Sequence, residues 1–131
     1  MLPFVRPKKP LDACRLALVT TGGVHLPGDA RFDIDDPSGD CSYREIPGDA
    51  QELTWTHAYY RPDEGTDLDS VFPLWTMREL AGEGVIGELN RRHFSFMGAI
   101  HDPGPLVRES APEVAGKLAD DEVDAVLLTP S

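Results

Sequence analysis

A mostly parallel α/β fold is the class this sequence predicts, and three observations predict it. Two short, continuous apolar runs, "RLALVTT" (15–21) and "VDAVLLT" (123–129), read as strands covered on both faces. A helical pattern over 71–82 precedes a strand pattern over 93–98, and a second over 110–119 precedes the strand over 124–129. A helix followed by a buried strand is half of a βαβ unit, so a parallel sheet is the economical arrangement. The expected architecture is a central, mostly parallel sheet flanked by helices, a Rossmann-like or flavodoxin-like half that is incomplete at its C-terminal side.

The elements follow in order. Residues 1–13 carry Pro3, Pro7 and Pro10, each lacking a backbone donor, and are expected to form an extended leader. Residues 14–131 are expected to form one α/β domain, a size that can bury a sizeable core. "GGVHLPGDARFDIDDPSGD" (22–40) has no helical period and reads as a long loop of the kind that often carries function. "SYREI" (42–46) alternates like an edge strand, and "LTWTHAYY" (53–60) favours strand through its Thr, Trp and Tyr residues. A polar loop (61–70) leads to the first helix, which Ser70 or Asp69 can cap and Pro73 can open. Leu74, Met77, Leu80 and Ala81 fall on one face of it, and Gly82 or Gly84 can end it. "SAPE" (110–113) has the capping-box pattern with an early proline.

Charge excludes some partners. The chain has 131 residues with 23 acids against 12 bases, a net charge of −11. That field repels nucleic acid and anionic membrane surfaces. No run approaches the ~20 apolar residues of a membrane span. The basic start precedes only a short apolar run with no small-residue cleavage site, so it reads as a first strand and not a signal peptide. Cys14 and Cys41 fit neither a redox pair nor a zinc knuckle, and two thiols in a reducing cytoplasm are expected.

Candidate chemistry gathers after the first strand. In open α/β sheets ligands bind beyond the carboxyl ends of the strands. "TTGGVH" (20–25) should lie there, with Thr20, Thr21 and His25 as polar groups and Gly22 and Gly23 allowing close approach to the backbone. It is neither a dinucleotide fingerprint nor a P-loop, and a plain strand-ending turn is the competing reading. His57 is a second candidate at a strand end. Of the four histidines, most are expected to be ordinary half-buried or surface side chains, with His101 in a loop. Their spacing with Asp29, Asp33, Asp35 and Asp36 gives no metal motif, so no metal is assigned. Trp55, Trp75, Phe94, Phe96 and Met97 read as core, and Arg91–Arg92 as solvated surface more than as an anion site. No G-x-S-x-G elbow is present, and Cys14 falls at the amino end of its strand, the wrong end for a nucleophile.

Taken together, "ALVTTGGVHL", "YREIP", "VFPLWTMRELAGEGVIGELNRRHFSFMG" and "APEVAGKLADDEVDAVLLTP" resemble, in order and spacing, the selenoprotein B family of glycine, sarcosine, betaine and D-proline reductases, the shorter D-proline type most of all. The resemblance runs from Leu11 to Ser131. It implies an α/β protein with a central parallel sheet that cleaves a C–N bond of an amino acid or amine reductively. A selenocysteine or cysteine attacks the substrate carbon, a dithiol supplies the electrons, and in the D-proline type a partner subunit carries a pyruvoyl group. A selenolate or low-pKa thiolate gains from a strand-to-helix turn whose N–H groups face the anion. The family's nucleophile follows the "LLTP" strand, so it is expected after Ser131, where this sequence holds no residue. A selenocysteine codon taken as a stop, a separate chain, and a natural short form are three explanations. The residues expected to line the substrate pocket are Thr20, Thr21, Gly22, Gly23, Thr129, Pro130 and Ser131, with His25 and His57 as catalytic candidates. An oligomer with a partner reductase subunit or dithiol donor, in the cytoplasm, is implied. The alternative is a non-catalytic module in which His25, His57 and the Asp-rich loop hold a small molecule or metal.

Overall fold

The computed structural model describes residues 5–57 and 67–130. β1 (Arg15–Thr20) is the hub of a five-stranded sheet. On one side β7 (Ala125–Thr129) pairs with it in parallel, from Leu16↔Ala125 to Thr20↔Thr129. On the other side two short parallel strands share its length. β5 (Glu88–Leu89) pairs with Arg15 and Leu16, and β6 (Arg92–Phe96) pairs with Val19 and Thr20. β3 (Tyr43–Pro47) is antiparallel to β6. The α/β class and the mostly parallel sheet of the sequence reading are both present. β2 (Val24–His25) and β4 (Thr54–Trp55) form a separate antiparallel pair. Of the strand expected over 53–60, two of the described residues, Thr54 and Trp55, are in strand, and the part beyond His57, with Tyr59 and Tyr60, lies outside the described residues. No helix among the described residues is long and apolar enough to cross a membrane.

β1 is continuously apolar because both of its faces are covered. Leu16 and Leu18 join Ile46, Phe72, Leu74 and Ile86 in the larger core. Val19 packs on the other face against Phe94, Phe96 and Val114. α1 (Leu74–Gly82) buries Leu74 fully and packs Met77, Leu80 and Ala81 on the larger core, as the periodicity predicts. Pro73 precedes it and cannot cap it. Asp69 does so from six residues upstream of Trp75, accepting from the Trp75 N–H at 2.9 Å and from the Thr76 hydroxyl. Trp75 itself is 39% exposed, not core, and lies under the Arg78 guanidinium.

The second helix departs from its expected start. Residues 104–120 run helical, with a π turn over Leu106–Ser110 ahead of α2 (Ala111–Asp120). Pro112 has no N–H to give the preceding turn and its ring crowds it, so a wider turn is the relief. The Ala111 N–H accordingly reaches the Leu106 carbonyl. Ser110 therefore sits inside a helix, with φ −71° and ψ −40°, and makes no side-chain cap. The capping-box reading fails because the helix had already begun.

Two buried polar arrangements were not foreseen. β5 and β6 leave a gap in the ladder beside β1. The Asn90 N–H reaches the Leu16 carbonyl at 2.8 Å, and the next free donor of β1, the Leu18 N–H, donates to His93 Nδ1 at 2.9 Å. An imidazole thus stands where a strand carbonyl would. Three of the four histidines, His25, His57 and His93, are buried, against the expectation of half-buried or surface rings. The second arrangement centres on Asp121, at the end of α2. Arg92 meets it with Nε at 2.7 Å and Nη2 at 2.9 Å, Asn90 Nδ2 at 2.9 Å and Arg91 Nη2 at 3.0 Å. The Arg91–Arg92 pair is not simply solvated; the anion it holds is the chain's own.

β7 departs from expectation in burial. It was read as covered, yet Val126 is 39%, Leu127 36% and Leu128 70% exposed. It lies at a sheet edge, and among the described residues nothing covers Leu128.

Candidate functional site at the strand carboxyl ends

The carboxyl ends of β1, β6 and β7 meet at one turn. After Thr20 the chain turns through Thr21, Gly22 and Gly23. The Thr21 N–H donates to the Thr129 carbonyl at 3.1 Å, the Gly23 N–H to the Phe96 carbonyl at 2.9 Å, and the Thr56 N–H to the Gly23 carbonyl at 2.9 Å. Gly22 bridges Met97. The Thr20 hydroxyl donates to the Thr129 carbonyl at 2.9 Å and accepts from the Gly22 N–H at 3.0 Å. Of the predicted set, Thr20, Thr21, Gly22, Gly23 and Thr129 are thus gathered by backbone bonds and the Thr20 hydroxyl. Pro130 follows, exposed; Ser131 lies outside the described residues.

Glycine is required at Gly23. Its φ is +69°, and a Cβ there would stand 2.0 Å from the Thr56 carbonyl oxygen. Gly23→Ala is expected to cost about 3 kcal/mol of stability, from left-handed backbone strain plus overpacking. Urea denaturation measures this, and a loss under about 1 kcal/mol would show that the turn yields freely.

The two histidine candidates stand differently. His57 is 9% exposed, and burial pushes its pKa below the ordinary histidine value. It lies against Gly98, where a Cβ would come within 2.9 Å of His57 Nε2 and 3.1 Å of the Thr21 carbonyl oxygen. That absent side chain lets the imidazole approach the Thr21 turn. Gly98 was missed by the sequence reading; the only signal was a glycine directly after the β6 pattern. His25 sits behind the turn, 2% exposed. Its Nδ1 lies 2.8 Å from the Leu26 carbonyl and its Nε2 3.0 Å from the Thr56 hydroxyl, which Arg31 Nε also approaches at 3.3 Å. With Nδ1–H donating to the carbonyl, Nε2 accepts from the hydroxyl, so both ring nitrogens are engaged.

The Asp-rich loop holds itself. The Asp33 N–H donates to Asp40, the Asp35 N–H to Asp33 and the Ser38 N–H to Asp36. Among the described residues no three His, Cys, Asp or Glu side chains group as a metal site would need. A cleft of about 280 Å³ opens beside the turn, lined by Asp33, Asp35, Asp36, Met97 and His101 among others. Both cysteines are bonded away from the strand ends: buried Cys14 donates to the Lys9 carbonyl, and Cys41 to the Asp102 carbonyl.

Comparison with known proteins gives one consistent picture. The family model for glycine/sarcosine/betaine reductase selenoprotein B matches residues 2–131. The chain is 41% identical over 124 residues to the D-proline reductase subunit gamma of Acetoanaerobium sticklandii, covering 92% of this chain and 50% of that one. It is 36% identical over 132 residues to the glycine reductase complex component B subunit gamma of Symbiobacterium thermophilum, covering 94% and 30%. The like-named subunit of Peptoclostridium acidaminophilum is 34% identical over 130 residues, covering 92% and 28%. The chain therefore spans half the length of the first relative and under a third of the other two. No solved structure matches it significantly.

Proposed function

Because the chain belongs to the glycine/sarcosine/betaine reductase selenoprotein B family, we propose that it supplies one wall of the substrate pocket in a reductase that cleaves a C–N bond of an amino acid or amine. One observation carries the reading: three strand ends converge on a backbone-bonded turn with a buried imidazole beside it. Thr21 and Gly98 are exposed and leave backbone open to a small zwitterion, Gly22 and Gly23 shape the buried turn beneath them, and Thr129 and Pro130 bound the pocket on the β7 side.

Reductive cleavage breaks the C–N bond, forms a C–H bond and takes two electrons from a dithiol, which becomes a disulfide. The nucleophile we assign is a selenocysteine or cysteine outside the described residues, since Cys14 and Cys41 are held elsewhere. A pyruvoyl group on a partner subunit would activate the substrate amine. In this chain His57 takes a proton from the substrate ammonium, freeing the amine to react, its lowered pKa keeping it a base near neutrality. His25 fixes Thr56, and through it the Gly23 turn, so it is a positioning residue.

The test is amine-dependent oxidation of dithiothreitol by a reductase assembled with this chain, offering glycine, sarcosine, betaine and D-proline separately. Turnover of one substrate, lowered by about two orders of magnitude in His57→Ala, is the expected result for loss of a proton-transfer group. Turnover of none would sink the proposal.

A further inference from the structure

The two edges of the sheet are built differently. β3 carries Arg44, Glu45 and Pro47, the charges and proline that blunt an exposed edge against pairing. β7 reads Ala-Val-Leu-Leu-Thr, with no charge and no proline, and keeps an unbroken register with β1. Its Leu128 is 70% exposed. Residues 5–8 line a cleft beside Ala125 and Val126, and the apolar stretch left open toward Leu127 and Leu128 is a pairing surface.

We propose that β7 is an internal seam, whose free edge takes a further parallel strand and whose apolar faces take the helices joined to that strand. The occupant is a second α/β unit, formed by chain of the length that the longer relatives carry outside the stretch matched here. Three things on the molecule select it. β7 already pairs in parallel, and parallel sheets are covered on both faces by their connecting helices. The D-proline reductase subunit gamma has as much chain again beyond the aligned half. A second copy of this chain would bring another net charge of −11 alongside the first. The seam rests on family membership and not on the proposed chemistry. It sets the second unit beside Thr129, where it would complete the pocket.

The test mixes this purified chain with the separately expressed unmatched half of the Acetoanaerobium sticklandii subunit. Sedimentation and amide hydrogen exchange are read together. A 1:1 complex is expected, with exchange across 125–129 slowed at least roughly tenfold. Leu128→Lys should weaken that complex by roughly tenfold or more, while leaving the unfolding of the isolated chain unchanged, since Leu128 is exposed there. Should the added half not fold alone, a covalent fusion of the two is measured instead. Exchange at 125–129 as fast in the fusion as in the isolated chain would overturn the seam. So would a homodimer abolished by Leu128→Lys, which would assign β7 to a second copy. A complex that forms yet turns over no substrate leaves the seam standing and removes the reductase reading.

Discussion

Replacing Asp121 by alanine is expected to destabilise the fold by about 3–5 kcal/mol, the cost of breaking a buried charge pair from one side. The Asp121 side chain is 1% exposed and meets Arg92 through two bonds, with Arg91 and Asn90 completing the shell. Truncation leaves the Arg92 guanidinium, itself 25% exposed, without its main partner and unties the end of α2 from β6. Asp121→Asn keeps an acceptor but loses the charge, and should fall between wild type and alanine. The Arg92 hydrogen bonds hold the Asp121 carboxyl down at about 2, against an ordinary value of 3.8. A carboxylate lowered on folding gives stability that is complete above the unfolded pKa and drains as pH falls. The acid limb from this group therefore lies below pH 3.8, and Asp121→Asn removes it. Urea denaturation across pH decides the matter. A loss under about 1 kcal/mol for Asp121→Ala would show the network to be worth no more than a surface pair.

The second expected result lies higher on the pH scale. Burial lowers the His93 pKa from 6.5 to about 4, with the positive charge of Arg78 adding to it and the Asn90 carbonyl opposing it. A protonated ring also has no lone pair at Nδ1 for the Leu18 N–H, so charging breaks the bond that fills the ladder. A depressed histidine contributes nothing unfavourable above 6.5 and loses stability as pH falls from 6.5 toward about 4. The slope is about 1.4 kcal/mol per pH unit and the total about 3 kcal/mol. His93→Asn places an oxygen near the Nδ1 position without a titrating group. It should flatten the curve in that window and leave the Asp121 limb untouched. An unchanged slope in the variant would assign the acid sensitivity elsewhere.

What the sequence makes legible follows from how local each cause is. The runs at 15–21 and 123–129 and the 71–82 periodicity are local, and all three became the elements expected of them. The five residues "TTGG" and Thr129 were brought together because strands ending on the same edge must converge there. His93 as a ladder acceptor was not legible, since it depends on where β5 breaks from β6 beside β1. Nor was the Arg91–Arg92 pairing, whose partner lies some 30 residues away. The capping box at 110 misled because a motif marks where a helix can begin, and here Pro112 interrupts one already running. β7 misled for the opposite reason. Its apolarity reports the environment the strand is built for, and the described residues provide only part of that environment.

The placing of β1 has a consequence for how the molecule is made. Its bonds to Asp124 and Thr129 span 109 residues, and its bond to His93 spans 75. Such separations make the sheet slow to close, because the intervening chain must be gathered before the contacts reward it. On a ribosome the strand destined for the centre emerges about a hundred residues before its longest-range partner, β7. Until β5 and β6 follow it, "RLALV" is a naked apolar segment without a pairing strand, and one of its sides stays open until β7 arrives. Newly made copies should therefore lean on chaperones and aggregate when translation stalls midway, although the finished sheet buries Leu16, Ala17 and Leu18.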